Sequence, residues 1–154
     1  MIIKPEDGYI AFIINPKSGS SSAKGPMDRF KDYLAESNYE IKLGVTSSLK
    51  NAYELASEAA VDLHCSLVVV VGGDGTVREV VHGLEGSDKK LLILPSGTEN
   101  LLANELGYDG KLETTIRIFE EEFTRAFDLG KADGRCFTCI ASFGFDGEIV
   151  HKMH

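Results

Sequence analysis

The chain has 154 residues, 43% of them hydrophobic, with 16 Lys+Arg against 24 Asp+Glu for a formal net charge of −8. That is apolar material enough for one packed domain, with room for a piece of a second. The acidic balance excludes the basic face of a nucleic-acid binder and unaided docking on anionic lipid, but it is compatible with a small ligand in a local pocket. Three cysteines, Cys65, Cys136 and Cys139, are too few for a disulfide framework in a chain of this length. The opening MIIKPEDGYIAFII has acids ahead of a short apolar run, unlike a secretion signal. No run approaches the roughly 20 apolar residues that span a bilayer. The expectation is a cytoplasmic protein with at most transient membrane contact.

Short apolar runs alternate with helical periods. Tyr9 to Ile14 has a buried-strand pattern and ends at Asn15-Pro16-Lys17-Ser18-Gly19. Met27, Phe30, Tyr33 and Leu34 then recur at helical spacing, predicting an amphipathic helix over roughly 22–37. Tyr39 to Val45 reads as a strand, and Thr46, Ser47 and Ser48 offer caps for the next helix, where Ala52, Leu55, Ala56, Ala59 and Leu63 line one face. Leu67 to Val71 has no polar residue, which fits a strand covered by helices on both sides. It enters Gly72-Gly73-Asp74-Gly75-Thr76 and a helix to about Leu84. Leu91 to Leu94 is a fourth strand, followed by Pro95-Ser96-Gly97-Thr98-Glu99-Asn100 and a helix, with another helix at about 112–121.

This alternation predicts an α/β fold with a doubly wound, mostly parallel sheet over residues 1–122. From residue 123 to 154 the pattern changes. Phe123 to Ala132 and Arg135 to Phe143 flank Asp133-Gly134, a two-residue hairpin signal. The hairpin is expected to begin a β-rich second domain that is incomplete at His154. It must pack on the first domain, on a partner or on a further segment, and strand addition makes a homodimer a further expectation.

The chemistry centres on Gly72 to Thr76, which joins a buried strand to a helix. Glycines allow a sharp turn and close backbone approach, and the amides of a helix N-terminus favour phosphate. An Asp among them would repel a bare phosphate, so Asp74 points to Mg²⁺ bridging carboxylate and phosphates, or to a base near the transferred group. The plainer alternative is an Asp-Gly turn in which Asp74 caps the helix. The run is neither GxxxxGK[ST] nor GxGxxG. Asn15 to Gly19 and Gly97 to Asn100 also follow strand C-termini, the edge at which open α/β sheets bind ligands. There Asn15 offers amide hydrogen bonds and Lys17 offers charge, while Thr98 and Asn100 either cap a helix or touch the ligand.

Asn15-Pro-Lys-Ser-Gly19, Gly72-Gly-Asp-Gly-Thr76 with Glu79, and Pro95-Ser-Gly-Thr98 with Asn100 resemble the diacylglycerol-kinase catalytic domain, a group with bacterial lipid kinases and sphingosine kinases, related in fold to NAD kinases and phosphofructokinase. Ser142-Phe-Gly-Phe-Asp146 resembles that family's entry into its β-sandwich. The resemblance implies ATP held by Asn15, Lys17, Thr46, Gly72, Gly73, Gly75, Thr76, Gly97, Thr98 and Asn100. It further implies Asp74 near the phosphates with Mg²⁺, Asp146 near the acceptor, and a lipid hydroxyl as acceptor. A soluble acceptor, as for an NAD kinase, and a non-catalytic nucleotide-binding module are the alternatives. Arg78 stands where the family commonly has Asn, and Glu99-Asn100-Leu101 departs from the common GTGND. Because the family's acidic catalytic motif lies further on, residues 1–154 alone are expected to be inactive.

Cys136-Phe-Thr-Cys139 is half of a zinc motif, and the two sulfurs are expected on opposite faces of a strand. His64, His82, His151 and His154 show no ligand spacing, which points to surface or packing roles. Glu120 to Glu122 reads as a solvated helix end, and Glu79 either reaches a ribose or metal or stays on the surface.

Overall fold

The computed structural model describes residues 4, 6, 8–18, 24–122 and 124–140. Strand β1 (Tyr9–Ile14) is followed by α1 (Lys24–Glu36), β2 (Glu40–Val45), α2 (Leu49–Val61), β3 (Cys65–Gly72) and α3 (Asp74–Gly83). Then come β4 (Lys90–Pro95), α4 (Leu101–Glu105), α5 (Leu112–Glu121), β5 (Gly130–Ala132) and β6 (Arg135–Phe137). The first four strands form one parallel sheet in the order β2-β1-β3-β4.

Successive strand residues point to opposite faces, and both faces are apolar because both are covered. Ile13, Val68, Val70 and Ile93 meet Ala52, Ala56 and Ala59 of α2, Val77 and Val80 of α3, and Leu102 of α4. On the other face Ile10, Phe12, Val69 and Leu92 meet Met27, Phe30 and Leu34 of α1 and Leu112 of α5. Phe30, with no exposed surface, is ringed by Phe12, Tyr33 and Phe119 with centroids 5.8 to 6.3 Å away. Two helical layers around a sheet with an unbroken apolar centre give the doubly wound architecture that the alternation predicts.

Two expectations are corrected. Leu63 does not extend the buried face of α2. The helix ends at Val61, Asp62 is its C-cap, and Leu63 is 92% exposed. The strand expected from Phe123 begins only at Gly130, and residues 124–129 have no regular structure. Its partner strand stops at Phe137 and bends at 138–139, so 124–129 have no ladder to join. The turn itself is as read: Asp133 and Gly134 both have positive φ, 48° and 74°, as a tight primed hairpin turn requires. Phe123 and residues 141–143 lie outside the described residues.

The hairpin packs on the end of α3. Cys136 is 5% exposed, with its thiol 3.5 Å from Glu85 Oε2. Lys131 Nζ donates to both Glu85 oxygens at 2.9 and 3.2 Å and holds that carboxyl below its ordinary pKa. Burial and then the Glu85 carboxylate push the Cys136 thiol up.

Helices α2 and α3 come into close contact at Gly83. A Cβ there would stand 2.6 Å from both Ala56 Cβ and the Tyr53 carbonyl oxygen. Gly83→Ala is therefore expected to lower unfolding stability by about 1–3 kcal/mol, a loss that the better helix propensity of alanine, about 1 kcal/mol, only partly offsets. Urea unfolding checks this, and a higher midpoint would contradict the close crossing.

Candidate functional site

From β1 the chain passes outward to β2 and then crosses back to β3, so the topological switch point lies between the C-terminal ends of β1 and β3. The loops that leave this edge are fixed first by main-chain bonds that continue the sheet. Asn15 N donates to Val71 O at 2.9 Å, Thr46 N to Ile14 O at 2.8 Å, and Ser96 N to Gly72 O at 3.1 Å.

Side chains then join the three loops. Asn15 Nδ2 donates to Thr76 Oγ1 at 2.8 Å, bridging the switch point. Ser18 Oγ and Ser96 Oγ are 2.9 Å apart, which ties the first loop to the loop after β4. The first loop is closed on itself: Lys17 N donates to Asn15 Oδ1 at 2.9 Å, and Ser18 Oγ to Asn15 O at 2.9 Å. Thr76 and Ser96 are buried, at 2% and 7% exposure, and Asn15 and Ser18 are half-buried, so these bonds are partly shielded from water and the loops form one surface.

The glycines divide by what surrounds them. A Cβ on Gly72 would lie 2.6 Å from Thr76 Cβ, so Gly72 makes room for the threonine that Asn15 binds. A Cβ on Gly97 would lie 2.7 Å from Gly73 Cα, and one on Gly73 3.1 Å from Gly97 Cα. These two residues bring the loops after β3 and β4 into backbone contact. Gly75 differs: its Cβ would meet only Leu49 Cδ2, at 3.8 Å. Packing within the protein explains glycine at 72, 73 and 97, but not at 75.

Asp74 is the first residue of α3 and does not cap it. Gly73 is the N-cap, without a side chain to bind the amides of the first turn. Among the described residues no hydrogen bond or ion pair engages the Asp74 carboxylate. An acid in a helix's first turn is favoured by the helix dipole, and a free hard oxygen beside uncapped amides suits a metal-bound phosphate.

Asn100 sits in the left-handed region at φ 49° and gives α4 no side-chain cap. Its amide closes the loop instead, accepting from Gly97 N and donating to Gly97 O, both at 2.8 Å. Thr98 is exposed, and Thr46 is buried at 5% exposure beyond β2. Glu79 is held by Arg78 at 2.8 Å. Asp146 lies outside the described residues. Ser18 and Ser96, which hold the loops together, are the residues that motif reading passed over; each precedes the glycine of its loop, and that repeated Ser-Gly was the available signal. A cavity of about 770 Å³ lies along β4 and the 124–129 segment, and none of the three loops lines it.

The diacylglycerol kinase catalytic domain matches residues 9–132, a span that holds all three loops. The chain belongs to that family. It is 33% identical over 143 residues to a Streptococcus pneumoniae serotype 4 protein named "Putative lipid kinase", covering 92% of this chain and 48% of the relative. It is 32% identical over 145 residues to a diacylglycerol kinase of Bacillus subtilis strain 168, covering 92% and 47%. The crystal structure of a diacylglycerol kinase from Bacillus anthracis str. Sterne superposes with a TM-score of 0.71 at 28% identity, over 84% of this chain and 45% of that one. The family read from the three loops and the fold read from the strand–helix alternation are thus borne out. The chain spans about half the length of these curated relatives. Among the described residues no helix is long and apolar enough to cross a membrane.

Proposed function

We propose that the three joined loops bind the phosphates of ATP and that the protein transfers the γ-phosphoryl group to a lipid hydroxyl. The observation that carries this reading is the pair of bonds Asn15–Thr76 and Ser18–Ser96, which joins all three loops across the switch point through the protein's own side chains. Phosphoryl transfer asks for positioning and charge neutralisation, and loops held by their own side chains serve the positioning.

In this proposal the first-turn amides of α3, with Gly75, meet a phosphate at close range, and Lys17 neutralises negative charge. Gly72, Gly73 and Gly97 hold the loops in register, Asn100 keeps the third loop closed, and Thr46 and Thr98 flank the nucleotide. Magnesium would supply charge neutralisation on the phosphates, with Asp74 the residue here suited to hold it. Asp74 otherwise takes the acceptor hydroxyl's proton. Residues 1–122 form the nucleotide domain, residues from 123 begin a second domain, and Asp146 belongs to the acceptor side. Residues 1–154 alone are expected to bind nucleotide without turnover.

The names of the relatives favour diacylglycerol as acceptor. The full protein, given γ-labelled ATP, magnesium and mixed micelles, is expected to label diacylglycerol. Label entering NAD and no lipid would overturn the lipid reading, and nucleotide binding without transfer to any acceptor would make the protein a binding module.

A further inference from the structure

At the end of α3 opposite Asp74, the hairpin brings a third side chain to two on the helix and its following turn. A His82 ring nitrogen, a Glu85 carboxylate oxygen and Cys136 Sγ all lie within 4.8 Å of one another. We propose that His82, Glu85 and Cys136 form a zinc site that pins the hairpin to the end of α3.

Thiolate, imidazole and carboxylate are the ligand types of zinc, and a thiolate in the set disfavours magnesium and calcium. Zinc bond lengths of about 2.0–2.3 Å imply tetrahedral edges of roughly 3.3–3.8 Å, so the three groups close on an ion by small side-chain rotations. Water takes the fourth position. The His82 ring lies against Tyr53 with centroids 4.9 Å apart, which limits its orientation. His82 also lies in the last turn of α3, the end of a helix whose dipole favours a cation.

A cation already sits at Glu85. Lys131 Nζ holds both its oxygens, with its own side chain 51% exposed. Zinc would displace it, and an ion pair this exposed resists little. The cluster is built from residues far apart in sequence, since Cys136 lies 51 residues beyond Glu85. Its consequence is mechanical: the hairpin becomes fixed to the helix whose other end carries Asp74.

Cobalt(II) titration of residues 1–154 tests the site, because thiolate ligation gives a charge-transfer absorption that carboxylate or imidazole alone does not. The expected result is saturation at one equivalent and displacement by one equivalent of zinc. Cys136→Ser should abolish the band and weaken zinc by more than about 100-fold, beyond the loss of an outer-shell partner. His82→Gln should also weaken zinc. Lys131→Ala, a surface change that leaves the ligands intact, should tighten zinc several-fold, and zinc should slow hydrogen exchange in the hairpin amides of the unmutated chain. Absence of a thiolate band, its persistence in Cys136→Ser through another cysteine, or unchanged affinity in Lys131→Ala would each overturn the proposal. No nucleotide enters these measurements, so they stand apart from the kinase reading.

Discussion

Asp74→Asn is expected to lower phosphoryl transfer by the full protein at least about 10³-fold, within the range that a general base or a metal-holding carboxylate contributes. The replacement keeps the shape and removes the charge. Asp74 engages no partner among the described residues, and Gly73 rather than Asp74 caps α3. The structural cost is therefore confined to the lost interaction with the helix dipole, about 0.3–1 kcal/mol. The expected signature is a collapse of kcat with a change of less than about tenfold in KM for ATP, because an interaction lost mainly in the transition state acts on kcat. Steady-state kinetics with a denaturation curve for each protein checks both parts. Activity within tenfold of the unmutated protein would remove Asp74 from the proposed chemistry.

Gly97→Ala is expected to damage binding and fold together. The added carbon would lie 2.7 Å from Gly73 Cα and 2.9 Å from Asn100 Oδ1. The first contact is with backbone and cannot be relieved by rotating a side chain, so the two loops must separate. Overpacking of this kind costs about 1–3 kcal/mol. Ser96, the residue before it, donates from its amide to Gly72 O at 3.1 Å and shares a bond with Ser18, so a shift at Gly97 strains both joints. Nucleotide affinity should fall by more than about tenfold, as expected when the geometry of a preordered site moves by a fraction of an ångström. A variant of unchanged stability and affinity would show that the loops do not depend on this contact.

Much of this architecture was legible in the sequence because its signals are local. The polar-free run Leu67–Val71 announced a strand covered on both faces, and Met27, Phe30 and Leu34 announced the face of α1 that lies on it. Gly-bearing turns after three strands placed the loops on one edge, since parallel strands all end on the same side. What stayed hidden depends on contacts between distant residues. Periodicity carried the face of α2 through to Leu63, but Asp62 ends the helix and donates its amide to Glu58 O. Gly73 and Gly97 looked like places where a ligand comes near, yet each is needed by the other across 24 residues. The hairpin turn was readable from Asp133-Gly134. Its strand lengths were not, because they depend on where the partner strand bends away. The grouping of His82, Glu85 and Cys136 has no spacing in sequence that would reveal it.

Gly75 permits the most direct test of the proposed nucleotide site, because its missing side chain is not required by packing. Its Cβ would meet only Leu49 Cδ2 at 3.8 Å, and it lies in the first turn of α3. Gly75→Ala should raise stability by up to about 1 kcal/mol through helix propensity and chain entropy. If a phosphate sits against this turn, the same methyl group obstructs it. Calorimetric titration with Mg·ATP of the protein and of Gly75→Ala is the decisive measurement. One nucleotide is expected to bind, with affinity at least about tenfold lower in a variant that is as stable as the parent or more so. Equal affinity in a folded Gly75→Ala, or no binding by the unmutated protein at millimolar nucleotide, would contradict it.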